Sequence, residues 1–564
     1  MGTGPILKDV CKINIAIART DAQAFFMNNN NEIPDWLKSK GYLHLSPSLK
    51  IGENWRIYKR QIENKTFVSK YGFYPLIHAL IKERKYKKAD ETKHTSEGRA
   101  HKHISIKNNK AEPTYKLRPL HYASHYDALV YGYYAHILNE NYLEKLSALP
   151  ELFNCVTAYR KIKIGGKSDK GKSTIHFAKE VFDEIKFRAS GDKKVAVLTF
   201  DIKGFFSSLD HDILKERWSF IIDEKLLPSD HYNVFKSCTN FSYVLKDDLR
   251  ILTRKGGRRR GFDERKLAKI RREQGFKCFF ESNDDFRNHI KQGKLRIYKN
   301  PFRSAQKKMI GIPQGLPISA VLANVYLYNF DKAIIESLVS NENAYYRRYS
   351  DDIVVICDVD KISTTKEFVE NLIKESKLEI STAKTETFIF ESLEYNQRKE
   401  KRLTSIKVNF DGSYAIGAPL IYLGFEFRGY KVLIKSTNLA KYYRRLISVV
   451  KRRAKRAKKA VNNDPFQKKA IFHNQIKNLY NRPLRDIDSE TGELKQIFRT
   501  KSVLELNERG TYSMVSSEVK SKRKNSNYMG YVRRCSEIFD TKDFEHQLRK
   551  RKHIVFEAIN KHLK

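Results

Sequence analysis

The chain has 564 residues, 40% apolar and 12% aromatic, so it is too long for one compact core and too apolar to be disordered as a whole. Lys and Arg number 109 against 65 Asp and Glu, a formal net charge of +44, which points to a polyanionic partner, nucleic acid before membrane. No apolar run approaches the roughly 18 residues of a spanning helix, no signal-peptide core opens the chain, and six scattered cysteines without a C-x-x-C pair argue against a thiolate zinc site or a disulfide framework, as expected of a cytoplasmic protein.

In chain order, residues 1 to about 110 mix amphipathic segments such as TFVSKYGFYPLIHALIKERKYKK with a polar stretch, ADETKHTSEGRAHKHISIKNNKAEPTYK, that reads as an exposed linker. From 118, RPLHYASHYDALVYGYYAHILNENYLEKL carries apolar residues at helical spacing. GKSDKGKS (166–173) matches a phosphate-loop pattern before a helix-like segment, with VAVLTFD as a possible second nucleotide motif. Gly, Lys and Ser are abundant here, and a basic loop explains the match more simply.

KKVAVLTF (193–200) reads as a buried strand that ends at Asp201, where a carboxylate and the Ile202 carbonyl can meet a cation. Phe206, five positions on, would wall one side of such a site. A strand followed by a helix cap is the plainer alternative. Residues 245–310 are basic and patchy, with RKGGRRRG (254–261) as a loop. In GIPQGLPIS, Gly311, Pro313, Gly315 and Pro317 fix a kinked loop before the apolar helix SAVLANVYLYNFDKAIIESL, with Gln314 placed to donate a hydrogen bond.

YYRRYSDDIVVICDVD (345–360) then sets Asp351 and Asp352 side by side between strand-like runs. Alone this is an acidic turn. With Asp201 brought near, three like charges would persist ionised only with cations between them. Oxygen donors without His or Cys favour Mg²⁺ or Mn²⁺ over zinc, and two Mg²⁺ ions about 4 Å apart suit in-line phosphoryl transfer. Segments near 386–391 and 421–427 (IYLGFEF) read as strands, and the last 125 or so residues as mostly helical. From Lys441 to Lys459 there are ten Lys or Arg and no acid, with Tyr442, Tyr443, Leu446 and Val449–Val450 as a narrow apolar seam.

FDIKGFF, GIPQGLPIS, YSDD, Lys384–Thr385 and YLGFEF, in that order, resemble the reverse transcriptases, over roughly residues 115–430. The resemblance implies an α+β right-hand polymerase: fingers, a palm with an antiparallel sheet, a thumb, and mostly helical N- and C-terminal extensions. It implies an N-terminal extension (1–114), fingers (115–200), palm (201–414, with an insertion around 245–310), and the palm's end, thumb and C-terminal extension (415–564). Asp201, Asp351 and Asp352 would hold the metals with the Ile202 carbonyl. Phe206 would gate the ribose 2′-hydroxyl, Gln314 and Gly315 would line the incoming nucleotide, and Lys384 would protonate pyrophosphate. Arg118 (in RPLHY) and Arg160 (in VTAYRKI) would contact triphosphate or template.

The motifs look most like bacterial defence-associated, abortive-infection-like reverse transcriptases that act against phage; retron and group II intron enzymes are further off. Ser350 departs from the Ala, Val, Met or Cys frequent at its position, and Leu316 from a small or polar residue. The basic helix would be a thumb tracking a duplex through Arg444, Arg445, Lys451, Arg452, Arg453, Lys455 and Arg456, and SKRKNSNYMGYVRR (521–534) a second RNA contact. Expected partners are dNTPs, an RNA template or structured non-coding RNA, and cDNA product, with no membrane, and with a second copy or a partner protein as further options. A catalytically silent nucleic-acid-binding scaffold is the competing reading.

Overall fold

The computed structural model describes residues 33–563 apart from 53, 85–86, 89–100, 103, 108–109, 114, 166–169, 252–260, 396–399, 464–472, 482–496 and 522–526. Its centre is a six-stranded sheet, with Val195–Asp201 between the strands Asp352–Cys357 and Glu386–Glu394. Both neighbours run antiparallel to it. VAVLTFD is apolar at nearly every position because both faces of the strand are covered. Its period-two alternation sends Ala196, Leu198 and Phe200 into one core, with the helices His125–Ser147 and Ser319–Tyr326. Val195 and Val197 go to the other, with the helix Thr174–Arg188 and the C-terminal helix Tyr528–Phe539.

A second, four-stranded sheet joins Tyr115–Tyr122, Leu76–Arg84, Ser242–Leu245 and Tyr298–Lys299. Leu76–Arg84 comes from a segment with amphipathic spacing. Pro75, which disfavours helix at the residue before it, separates this strand from the short helix Lys65–Ser69. The region 245–310 builds a small core of its own, where Leu267, Phe279, Phe280, Phe286 and Leu295 close on Leu45, Ile77 and Val244.

Three elements differ from the sequence reading. IYLGFEF is two strands, Leu420–Tyr422 and Phe425–Phe427, because Leu423 and Gly424 turn the chain with φ of +44° and +90°. The helix expected from Ser319 onward breaks at Leu327, resumes over Tyr328–Ile334 and ends in a wide π turn, Ile335–Ser340. At the break the Tyr326 hydroxyl donates to the Ser376 carbonyl (2.6 Å) and accepts from the Asp210 N–H (3.2 Å), tertiary bonds that periodicity cannot register. A long hairpin, Ile497–Leu506 with Tyr512–Ser521, stands among the C-terminal helices.

The basic segment is one helix, Ser436–Asn463. Its buried seam is Leu446, Val450, Ala454 and Ala457, with Leu446 and Val450 packed against Ile476 and Val555. At 3.6 residues per turn, Lys441, Arg445, Arg452, Arg456 and Lys459 fall on the opposite arc. No helix among the described residues is long and apolar enough to cross a membrane. Five cysteines are buried and free; Cys11 lies outside the described residues.

Candidate active site

Strand pairing brings the acidic residues together. Asp352 is the register partner of Asp201, and the hairpin partner Tyr349 leaves Ser350 and Asp351 as a two-residue loop at the tip. The Ile202 N–H donates to the Asp351 carbonyl (3.3 Å), which ties the tip to the end of the Asp201 strand. Burial, then the charges of Asp351 and Asp201, push the Asp352 carboxyl up to about 6. Lys384 reaches the group because its segment lies along the same strand end: the Ser381 N–H donates to the Asp201 carbonyl (2.8 Å), and Glu386 pairs with Thr199. Its ammonium sits 2.5 Å from Asp201 Oδ2.

The donor set is all oxygen, which suits Mg²⁺ or Mn²⁺. Among the described residues no three of His, Cys, Asp and Glu are gathered tightly enough to cage an ion, and Asp201 is paired with Lys384 instead. Burial raises Asp352 first, and the neighbouring charges of Asp351 and Asp201 add to it; that crowding fits bound cations, since a cation would relieve it.

The glycine loop is fastened on two sides. The Gly311 N–H donates to the Leu209 carbonyl (2.7 Å) and the Ile312 N–H to the Phe206 carbonyl (2.8 Å), binding it to the turn that follows Asp201. On the other side the His121 N–H donates to the Gln314 carbonyl (2.9 Å). A Cβ at Gly315 would lie 2.8 Å from the His121 carbonyl, and φ there is +116°, so glycine is required twice over. Leu316 is buried in the main core and anchors the loop, which gives the departure at this position a packing role. Phe206 is half-buried on the short helix Phe205–Ser208, entered through Gly204 at φ +60°.

Arg118 projects from the four-stranded sheet, with its Nε 3.0 Å from Glu83 Oε2. Lys116, two residues earlier on the same face, feels the charges of Asp201, Asp351 and Lys384. Desolvation, with Arg118 and Lys384, lowers its ammonium from the ordinary lysine range. The sequence reading missed Lys116; its i, i+2 spacing from Arg118 on a strand was the available signal.

Arg160 is largely buried. It is 9% exposed and donates to the carbonyls of Phe153 (2.7 Å) and Val156 (2.6 Å), so its guanidinium fixes a loop. The phosphate-loop match lies partly outside the described residues, and Lys172 pairs with Glu180 at 2.5 Å. RKGGRRRG lies almost wholly outside them. Of the second basic segment, Tyr528 stacks on Tyr442 (4.4 Å between centroids) and, with Tyr531, packs against a core, so these rings do not form an open stacking platform. On the long helix Arg445, Lys451, Arg452, Lys455 and Arg456 are exposed, while Arg444 and Arg453 are half-buried.

Residues 268–427 match the family described as reverse transcriptase (RNA-dependent DNA polymerase). The matched segment includes the glycine loop, the Asp351–Asp352 hairpin and Lys384; Asp201 lies upstream of it and joins through the ladder. Solved telomerases are also similar. The apo enzyme from Candida tropicalis, truncated from its C-terminal domain, is 10% identical over 58% of this chain and 54% of its own, with a TM-score of 0.34. The Candida albicans enzyme in complex with a TWJ fragment of telomeric RNA is 12% identical over 71% and 54%, with a TM-score of 0.32. The present chain thus spans about half the length of each. No curated protein matches it. The antiparallel sheets and packed helices, with a reverse-transcriptase domain over residues 268–427, fit a right-hand polymerase fold.

Proposed function

We propose that the protein is an RNA-directed DNA polymerase that extends a primer with dNTPs. The observation that carries this reading is the register of Asp352 with Asp201, with Asp351 tied to the same strand end through the Ile202 N–H, next to the glycine loop of a reverse-transcriptase domain. Asp201, Asp351, Asp352 and the Ile202 carbonyl are the residues that would hold two Mg²⁺ (or Mn²⁺) ions, which supply charge neutralisation at the reacting phosphate oxygens. Gln314 and Gly315 receive the incoming nucleotide, Phe206 packs against its sugar, and Arg118 with Lys116 takes its phosphates. Lys384 carries the proton nearest the leaving pyrophosphate.

The domain limits at 114, 200 and 414, the insertion around 245–310, and the thumb arginines and lysines as duplex contacts belong to the same proposal. So do a cytoplasmic role in phage defence and a structured non-coding RNA as template or partner, both supported by motif resemblance alone. Purified protein with Mg²⁺, labelled dNTPs and a primed RNA should yield polymer, and Asp351→Asn with Asp352→Asn should yield none. No polymer from the unaltered protein would favour the silent scaffold. Sequencing the co-purifying nucleic acid tests template and product together.

A further inference from the structure

The metal-binding turn has a feature that its strand pairing does not require. Ser350 takes φ +60° at the first position of the two-residue loop, and Asp351 does not share the left-handed region. A hairpin turn with φ positive at its first central residue alone ordinarily takes glycine there. Serine costs strain in that place, and strain of this kind persists where neighbouring contacts over-determine it. The contacts are present. Inside, the wholly buried Arg348 donates to the Ser350 carbonyl (3.2 Å) and is itself held by buried Asp331 (2.5 Å). Outside, Ser350 Oγ lies 3.2 Å from the hydroxyl of Tyr159.

Tyr159 is the second anomaly. It is a bulky residue at φ +62°, 47% exposed, in the loop that Arg160 fixes. That conformation is an outlier for an aromatic side chain. Two strained residues from distant parts of the chain therefore meet through their hydroxyls one residue before Asp351. We propose that Tyr159 and Ser350 form a positioning pair that sets the pose of Asp351 and Asp352 from the fingers side. The inference rests on the polymerase reading for its kinetic consequence and on geometry alone for its structural one. It also gives a use to the serine that departs from the related enzymes.

The test compares Tyr159→Phe, Ser350→Ala and the double variant, all nearly isosteric. Loss of one hydrogen bond predicts a roughly five-fold lower kcat in each single variant, with KM for dNTP unchanged. The double variant should be no slower than either, because the two hydroxyls act as one unit. Ser350→Gly should be more stable than wild type yet equally slow, a divergence that a purely structural role would not give. Hydrogen exchange of the 349–352 amides should quicken in Tyr159→Phe and Ser350→Ala. Unchanged kcat, additive losses, or a rise in KM alone would overturn the pair. If the wild type incorporates nothing, the polymerase reading falls and exchange decides the pair by itself: faster exchange upholds it and unchanged exchange removes it.

Discussion

Asp352 stands directly across the antiparallel ladder from Asp201, and Asp201 in turn holds the Lys384 ammonium at 2.5 Å. Asp201 and Asp352 are thus placed by backbone pairing, so replacing the carboxylates should leave the sheet intact. Asp351→Asn with Asp352→Asn is expected to abolish nucleotide incorporation, read with labelled dNTPs. Thermal melting should be unchanged or higher, because like charges have been removed. Persistent incorporation would count against the assignment.

The raised Asp352 gives a pH signature. Its carboxyl moves from an ordinary 3.8 to about 6, so between these values the folded chain keeps a proton that the unfolded chain has released. Folding stability from this group therefore falls as pH rises through about 6 and is restored on acidification. Buried His44 and His121, lowered to about 3, act in the opposite sense, so the wild-type curve alone does not isolate Asp352. The difference between wild type and Asp352→Asn does: without metal the variant should be the more stable at pH 7, and the gap should close by pH 4. Adding Mg²⁺ at pH 7 should narrow it as well.

The central sheet and its acidic hairpin were legible because both signals are local: a continuous apolar strand ending in Asp201, and Asp351–Asp352 between a tyrosine-rich run and a Val/Ile-rich one. The long basic helix Ser436–Asn463 was legible because its charges and seam repeat at helical spacing. What escaped depends on long-range contacts. The burial of Arg160 and the hydrogen bonds of its Nη1 to Phe153 and Val156 could not be read from its basic motif. The break at Leu327 follows no glycine or proline, and the strand Leu76–Arg84 is defined by its partner, forty residues on, more than by its own spacing.

Gly315→Ala should damage the nucleotide loop. The new Cβ would fall 2.8 Å from the His121 carbonyl at φ +116°, so either the loop or the strand must move. Strain of about 1–3 kcal/mol is expected at such a position. KM for dNTP should rise at least ten-fold. Gly293→Ala is the control, with φ +66° but nothing within 4 Å of the added atom. It should carry a comparable backbone penalty without the kinetic effect. Equal kinetics in the two variants would refute the role given to the loop.

The exposed arc of the helix Ser436–Asn463 predicts a salt signature. Arg452, Arg456 and Lys459 lie opposite the buried seam, so changing them to Gln should leave the fold intact. Each lost phosphate contact should flatten the slope of log affinity against log salt by about 1. Binding of an RNA–DNA duplex, followed by fluorescence anisotropy from low to moderate salt, measures this. An unchanged slope in the triple variant would remove the helix from the interface.

Glu83 links the four-stranded sheet to the long basic helix. Its Oε2 accepts from Arg118 at 3.0 Å, and its Oε1 holds Lys441 of the helix Ser436–Asn463 at 2.7 Å. Lys441, first, and Arg118 hold its carboxyl below the ordinary glutamate range. Both cations belong to surfaces proposed to bind phosphate, so a polyanion bound there would compete with Glu83 for them. All three side chains are about 40% exposed or somewhat less, and ion pairs so placed are worth roughly 0.2–1 kcal/mol each. Glu83→Gln should therefore bind an RNA–DNA duplex about two- to five-fold tighter at low salt. Removing any acidic side chain near a polyanion raises affinity somewhat, so the decisive comparison is Glu83→Gln in a background of Arg118→Met and Lys441→Met. If Glu83 acts by holding those two cations, the gain disappears there. A gain of the same size in both backgrounds would show repulsion alone, and no gain in either would show that the contact between sheet and helix is immaterial to binding.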